Sequence, residues 1–263
     1  MARRIPGPLY CEQQGVSGLA MLFLHATPDD HRQWLHQTAH FSAWYRTIAV
    51  DLAGYGRSPA PQRGATLADQ AAACWELMDR IAPGTVIIHG NSMGSEVAMR
   101  MADQKPDRAL ALILSGCGYL PDLRDIQLRS KQAYRDEGIA RRRVQVLAHF
   151  SPKMREAPHV QHYADMVCSL SNAGTIESII LMNQALADAA PESFYRGLRV
   201  PTLILTGSED PARPSAYVLQ SKIAGSEIVC MEGAGHANNF EAPWEFDRLC
   251  IEFLTKRGLF PAA

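Results

Sequence analysis

Three polar residues far apart in the chain, Ser92, Asp210 and His236, are of the types that nucleophilic attack on a carbonyl requires. Ser92 stands in Gly90-Asn91-Ser92-Met93-Gly94, directly after the apolar run Val86-Ile87-Ile88. A Gly-x-Ser-x-Gly segment between a buried strand and a helix holds its serine on a strained turn, where small neighbours are sterically required. The pentapeptide alone is weak; the strand before it and the helix after it carry the inference. That helix would place its positive end and the free Met93 N–H beside Ser92, where they can stabilise an oxyanion. A serine hydroxyl also needs a base, and the base needs a carboxylate to fix its tautomer. His236 ends the loop Glu232-Gly233-Ala234-Gly235-His236, and Asp210 lies in Gly207-Ser208-Glu209-Asp210. Glu209 and Asp122 are competing carboxylates.

Each of these loops follows a short apolar run, the pattern of a parallel sheet with helices between its strands. The runs Ala20 to His25, Thr47 to Asp51, Thr85 to His89, Ala111 to Ser115, Thr202 to Thr206 and Glu227 to Met231 read as strands. Thr66 caps a helix to Ile81; a second starts after Ser92 and ends before Pro106; a third runs from Pro243 to Thr255. Between Ser115 and Thr202 lie about eighty residues, too many for one crossover. Their helix-prone stretches, from Leu123 through Ala148 and from Thr175 through Ala189, predict an inserted cap that shapes a pocket.

The chain resembles the α/β-hydrolase family, in the branch of small bacterial esterases, enol-lactonases, cofactor-free haloperoxidases and carbon–carbon bond hydrolases. The resemblance covers nearly the whole chain. It rests on the Ser92 elbow, His25-Ala26-Thr27-Pro28 with Trp34 downstream, Asp51-Leu52-Ala53-Gly54-Tyr55-Gly56-Arg57-Ser58, the Gly207/Asp210/Pro214 spacing, and Gly233-Ala234-Gly235-His236 before Glu241-Ala242-Pro243. It implies a mostly parallel, eight-stranded-type α/β sheet flanked by helices, with core segments 1–117 and 197–263 and a helical cap over 118–196. It implies Asp210 as the acid and the Thr27 N–H as a second oxyanion donor beside Met93. Ala26 stands where the family usually has glycine, and Ser95 replaces another frequent glycine. The expected activity is hydrolysis of a small ester or lactone through an acyl-enzyme. Alternatives are carbon–carbon bond hydrolysis, perhydrolase or cofactor-free oxygenase chemistry, and a ligand-binding protein that keeps the fold without turnover.

Composition restricts the rest. A formal charge of −1 and 20% charged residues leave no electrostatic footprint for nucleic acid. No P-loop, dinucleotide fingerprint or zinc spacing is present, so no cofactor and no metal are expected. The expected partner is a small carbonyl substrate, and a homo-oligomer is left open. The six cysteines show no ligand spacing and read as reduced thiols. Arg3-Arg4 lacks an apolar stretch behind it, and no run approaches the roughly 20 residues of a membrane span, so a cytoplasmic location is expected. Arg141-Arg142-Arg143, with Arg124, Arg129, Lys131 and Arg135, forms either an anion site or a solvated face. Tyr119, His149, Phe150, Met154, Met166 and Met182 line either a pocket or the seam between cap and sheet.

Overall fold

A computed structural model of the chain describes residues 4–15, 18–171 and 173–261. Within them, seven strands form one sheet: β1 (Cys11–Gln14), β2 (Ala20–Leu24), β3 (Arg46–Val50), β4 (Val86–Asn91), β5 (Ala109–Ser115), β6 (Thr202–Gly207) and β7 (Glu227–Met231). Their order is β1-β3-β2-β4-β5-β6-β7, with every pairing parallel except β1 with β3. The helices are α1 (Leu35–Phe41), α2 (Leu67–Ile81), α3 (Met93–Gln104), α4 (Leu120–Glu137), α5 (Ala140–Ala148), α6 (Pro152–Arg155), α7 (Pro158–Cys168), α8 (Ala173–Ala187), α9 (Glu192–Gly197), α10 (Arg213–Lys222), α11 (Asn238–Glu241) and α12 (Pro243–Thr255).

All six strands read from apolar runs form within two residues of their expected limits. The described residues hold seven strands rather than eight. The edge strand β1 was not foreseen, because Glu12, Gln13 and Gln14 are exposed and polar. A strand with one neighbour and no covered face needs no apolar run.

Successive residues of a strand face opposite sides of the sheet. Leu22, Leu24 and Ile88 therefore pack with Trp75, Met78, Val97 and Met101 of α2 and α3. Met21, Phe23 and Ile87 pack on the other side with Trp34, Phe41, Phe246 and Phe253. Helix α2 begins in a capping box: Asp69 N–H donates to Thr66 Oγ1 and Thr66 N–H to Asp69 Oδ2, an arrangement that contributes about 1 kcal/mol.

Helices α4 to α9 occupy the interval between β5 and β6. The long stretch expected from Leu123 to Ala148 is broken at Gly138, whose φ of +60° ends α4. Helices α5 and α7, with Phe150 just after α5, carry their own apolar cluster of Val146, Phe150, Val160 and Tyr163, closed by Phe240 from α11.

Candidate active site

Strand β4 ends at Asn91 and α3 begins at Met93, so Ser92 is the whole turn between them. Its φ of 53° is the one positive value among described non-glycine residues. Such a conformation costs about 1–3 kcal/mol and persists only where its surroundings enforce it. A Cβ on Gly90 would sit 2.5 Å from the Gly94 carbonyl group, and one on Gly94 would run into the Leu24 carbonyl. Ser95, foreseen only as a departure from glycine, braces the turn: its hydroxyl donates to the carbonyls of Gly90 at 2.8 Å and Ser115 at 3.1 Å. As the first residue of α3, Met93 carries an N–H with no partner inside the helix.

Asp210 and His236 come from the loops after β6 and β7. Nδ1 of His236 lies 3.0 Å and 3.1 Å from the two Asp210 carboxylate oxygens. Asp210 is 4% exposed, and its Oδ1 also accepts the Ala212 N–H. Burial pushes the Asp210 carboxyl up, but the charge and hydrogen bond of His236 outweigh it and hold its pKa below the ordinary value. For His236, burial disfavours the charged ring; the Asp210 charge and hydrogen bond, with the more distant Asp29, overcome it and raise the pKa above 6.5. Glu209 and Asp122, the competing carboxylates, are both exposed.

Ser92, His236, Asp210, Met93 and Thr27 all line one cavity of about 510 Å³. Thr27 Oγ1 accepts from the Tyr55 hydroxyl at 2.8 Å, and that hydroxyl also meets Met93 Sδ at 3.7 Å, so one buried phenol touches the side chains of both residues expected to offer an oxyanion N–H. His25 is a brace in the same loop: Leu52 N–H donates to its Nε2 at 2.9 Å, leaving Nδ1 to donate to the Ala26 carbonyl at 2.7 Å.

Several residues outside the expected catalytic set position this machinery. Ala26 N–H donates to Gln33 Oε1 at 2.8 Å, and Gln33 Nε2 donates to Asn91 Oδ1 at 2.9 Å. Asn91 Nδ2 then donates to Ser115 Oγ and to the His236 carbonyl, at 2.9 and 3.1 Å. Glu241 Oε2 accepts the N–H groups of Gly235 and Ser151 at 3.0 Å each, and Ala237 N–H donates to the His149 carbonyl, joining the His236 loop to the segment after α5. On the opposite side Arg142, fully buried, donates through Nε to the Pro28 carbonyl at 3.0 Å. The segment α5 to Ser151 thus spans the Thr27 loop and the His236 loop.

Of the six aromatic, histidine and methionine candidates for the pocket, only His149 lines the cavity. Its ring centre is 5.0 Å from that of His236, and its Nδ1 is 3.1 Å from Asp29 Oδ2. Tyr163 donates to the other Asp29 oxygen at 3.0 Å. Phe150, Met154 and Met166 belong to the cluster within the inserted helices, and Met182 and Tyr119 to the packing above the sheet. Asp30, His31 and Asp51 bring three ligand atoms within 4.8 Å of one another. Their chemistry is already engaged: Arg32 pairs with Asp30, while Asp51 accepts from His31 Nδ1 and from the His31 and Arg57 backbone amides. We read this cluster as a brace on the loops after β2 and β3.

Fold and site together define a hydrolase class. Residues 21–246 match the model of the alpha/beta hydrolase family, and the chain belongs to that family of enzymes. It is 29% identical over 266 residues to the AB hydrolase superfamily protein YisY of Bacillus subtilis, covering 93% of this chain and 94% of that protein. Among solved structures it is similar to a thermophilic esterase from Thermogutta terrifontis, at 25% identity and TM-score 0.82 over 94% of this chain and 93% of that one. The enol-lactonase of Burkholderia xenovorans LB400 shares the fold at 23% identity and TM-score 0.85, over 95% and 98% of the two chains. No helix among the described residues is long and apolar enough to cross a membrane.

Proposed function

We propose that the protein is a serine hydrolase that cleaves a small carboxylic ester or lactone. Ser92 Oγ attacks the carbonyl carbon while His236 takes its proton, and Asp210 holds the imidazole with Nε2 free to act. The Met93 and Thr27 N–H groups receive the developing oxyanion. His236 returns the proton to the leaving oxygen, and a water activated by the same imidazole releases the acyl group. Helices α4 to α9 act as a cap over this cavity. No cofactor enters the scheme.

One observation carries the reading: a serine held at φ 53° shares a cavity with an imidazole whose far nitrogen is bound by a buried carboxylate. The test is labelling by a fluorophosphonate together with hydrolysis of short-chain chromogenic esters. Stoichiometric label on Ser92, lost in Ser92→Ala and His236→Ala, is expected. Protein that takes no label and turns over no ester overturns the reading. Turnover of a ring-cleavage dienone with no ester hydrolysis would move it to carbon–carbon bond cleavage.

A further inference from the structure

The cap holds a run of basic residues, and the structure divides it. Arg142 is buried against Pro28 and Ser171, Arg143 bonds Asp165 and Gln161, Lys131 bonds Gln184, and Arg124 and Arg135 are exposed. Arg129 and Arg141 alone from this run line the cavity that holds Ser92 and His236. Arg141 is the more enclosed, with 30% of its side chain exposed. Its Nε is buried and has no hydrogen-bond partner among the described residues, while its Nη1 pairs at 3.7 Å with Glu137 on the exposed end of α4. A buried guanidinium donor without an acceptor costs about 1–3 kcal/mol, which a bound anion would recover.

The position of this donor follows from helix geometry. Arg141, Gln145 and Ala148 line the cavity at spacings of four and three, one face of α5. Ala148 adjoins His149, whose ring is beside His236, so Arg141 lies seven residues, or about 10 Å of helix rise, from the reacting end. The walls of the cavity are largely apolar, with Leu123, Ile126, Ala133 and Leu186 among them. Polar groups set apart in a largely apolar cavity select a ligand with the same distribution.

We propose that Arg141, assisted by Arg129 at the rim, binds a carboxylate on the substrate, set several carbons from the scissile carbonyl. The substrate class is a half-ester of a medium-chain dicarboxylic acid, or a lactone with a carboxylate-ended side chain. A planar carboxylate matches the guanidinium fork, and Glu137 disfavours a dianion such as a phosphate at the same place. This rests on the proposed role of the Ser92 cavity.

The experiment compares binding of monomethyl adipate and dimethyl adipate to Ser92→Ala protein by titration calorimetry, so that it does not depend on turnover. The half-ester is expected to bind at least tenfold tighter. Arg141→Ala in the same background brings the two affinities to within about twofold, and Arg141→Lys, which keeps the charge and loses the fork, falls between. Arg124→Ala removes the same charge from the exposed face and leaves the ratio unchanged. Equal binding of the two esters, or a ratio untouched by Arg141→Ala, overturns the subsite. Absence of fluorophosphonate label on the unmodified protein counts against the hydrolytic reading alone, and the binding ratio still decides the subsite.

Discussion

Gln33 and Asn91 form a buried amide pair, Nε2 to Oδ1 at 2.9 Å, and through it the loop after β2 is tied to the serine turn. Both side chains are fully buried. Each uses its other end on backbone or hydroxyl groups of a different loop, Ala26 on one side and Ser115 and His236 on the other. The proposed nucleophile, base and oxyanion loop are therefore held relative to one another by two neutral side chains. Neutral amides do this without adding a charge that would compete with Asp210 for His236.

Replacing Gln33 by alanine leaves Ala26 N–H and Asn91 Oδ1 unpaired in a closed interior. We expect a loss of about 1–3 kcal/mol in unfolding free energy. A fall of about ten- to a hundredfold in kcat, with KM changing far less, should accompany it, because geometry and not substrate contact is lost. Steady-state kinetics beside a denaturant titration check both. A variant whose KM rises while kcat holds would show that Gln33 touches substrate instead.

The proton balance at His236 gives a second prediction. Only the neutral imidazole can accept the Ser92 proton, so activity rises as pH rises through the His236 pKa. That pKa lies above 6.5, because Asp210, with help from Asp29, overcomes burial. The acid limb of kcat/KM should therefore lie above pH 6.5 and, in Asp29→Asn, move to lower pH. The asparagine keeps the shape and removes the charge; its oxygen still accepts from Tyr163, and its NH2 donates to His149 Nδ1 in the tautomer that leaves that nitrogen free. An acid limb that stays in place in the variant would remove Asp29 from the electrostatics of the site.

What could be read in the chain follows from how local each signal is. Strands β2 to β6 announce themselves as apolar runs because both faces are covered, the half-buried edge strand β7 because Ile228 to Met231 are still apolar, and Ser92, Asp210 and His236 because each sits in a turn with its own short pattern. Edge strand β1 has no covered face and so no pattern. Gln33 looks like an ordinary polar residue; Asn91 and Glu241 fall inside short patterns, but those patterns do not say which loops the two side chains tie together. The His149–Asp29 pair joins residues 120 positions apart, and neither end has a motif. The basic run was visible as composition, but which of its members turn toward the cavity depends on helix phase and on the break at Gly138, which composition does not contain.

Two glycines separate steric need from conformational need. At Gly94 a Cβ would collide with the Leu24 carbonyl and lie 2.8 Å from that of His25, both backbone atoms of β2 and its exit. Gly94→Ala must push α3 off the sheet, and we expect a loss of about 2–4 kcal/mol together with loss of Ser92 labelling. At Gly138 nothing lies within 4 Å, and only the φ of +60° opposes a side chain. Gly138→Ala should cost about 1–2 kcal/mol, from backbone strain alone, and leave labelling intact. Chemical denaturation of the two variants side by side tests the contrast; equal losses would refute it.

His89 offers the last prediction, on stability. It precedes the serine turn on β4 with its ring among Phe23, Trp34, Phe41 and Phe246, at centroid distances of 4.7 to 6.4 Å. Neither ring nitrogen has a hydrogen-bond partner among the described residues, and burial lowers its pKa from 6.5 to about 3. Between those values the unfolded chain binds a proton that the folded chain refuses. Folding stability should therefore fall as pH falls below 6.5, by up to about 1.4 kcal/mol per pH unit from this residue. His89→Leu keeps the volume close and removes both the unpaired nitrogens and the titration. It should gain about 1–2 kcal/mol at pH 7, and more at pH 5, because the parent has weakened and the variant has not. Melting curves of both proteins across that range decide it: an advantage that is the same at pH 7 and pH 5 would mean that His89 is not the neutral, buried imidazole described.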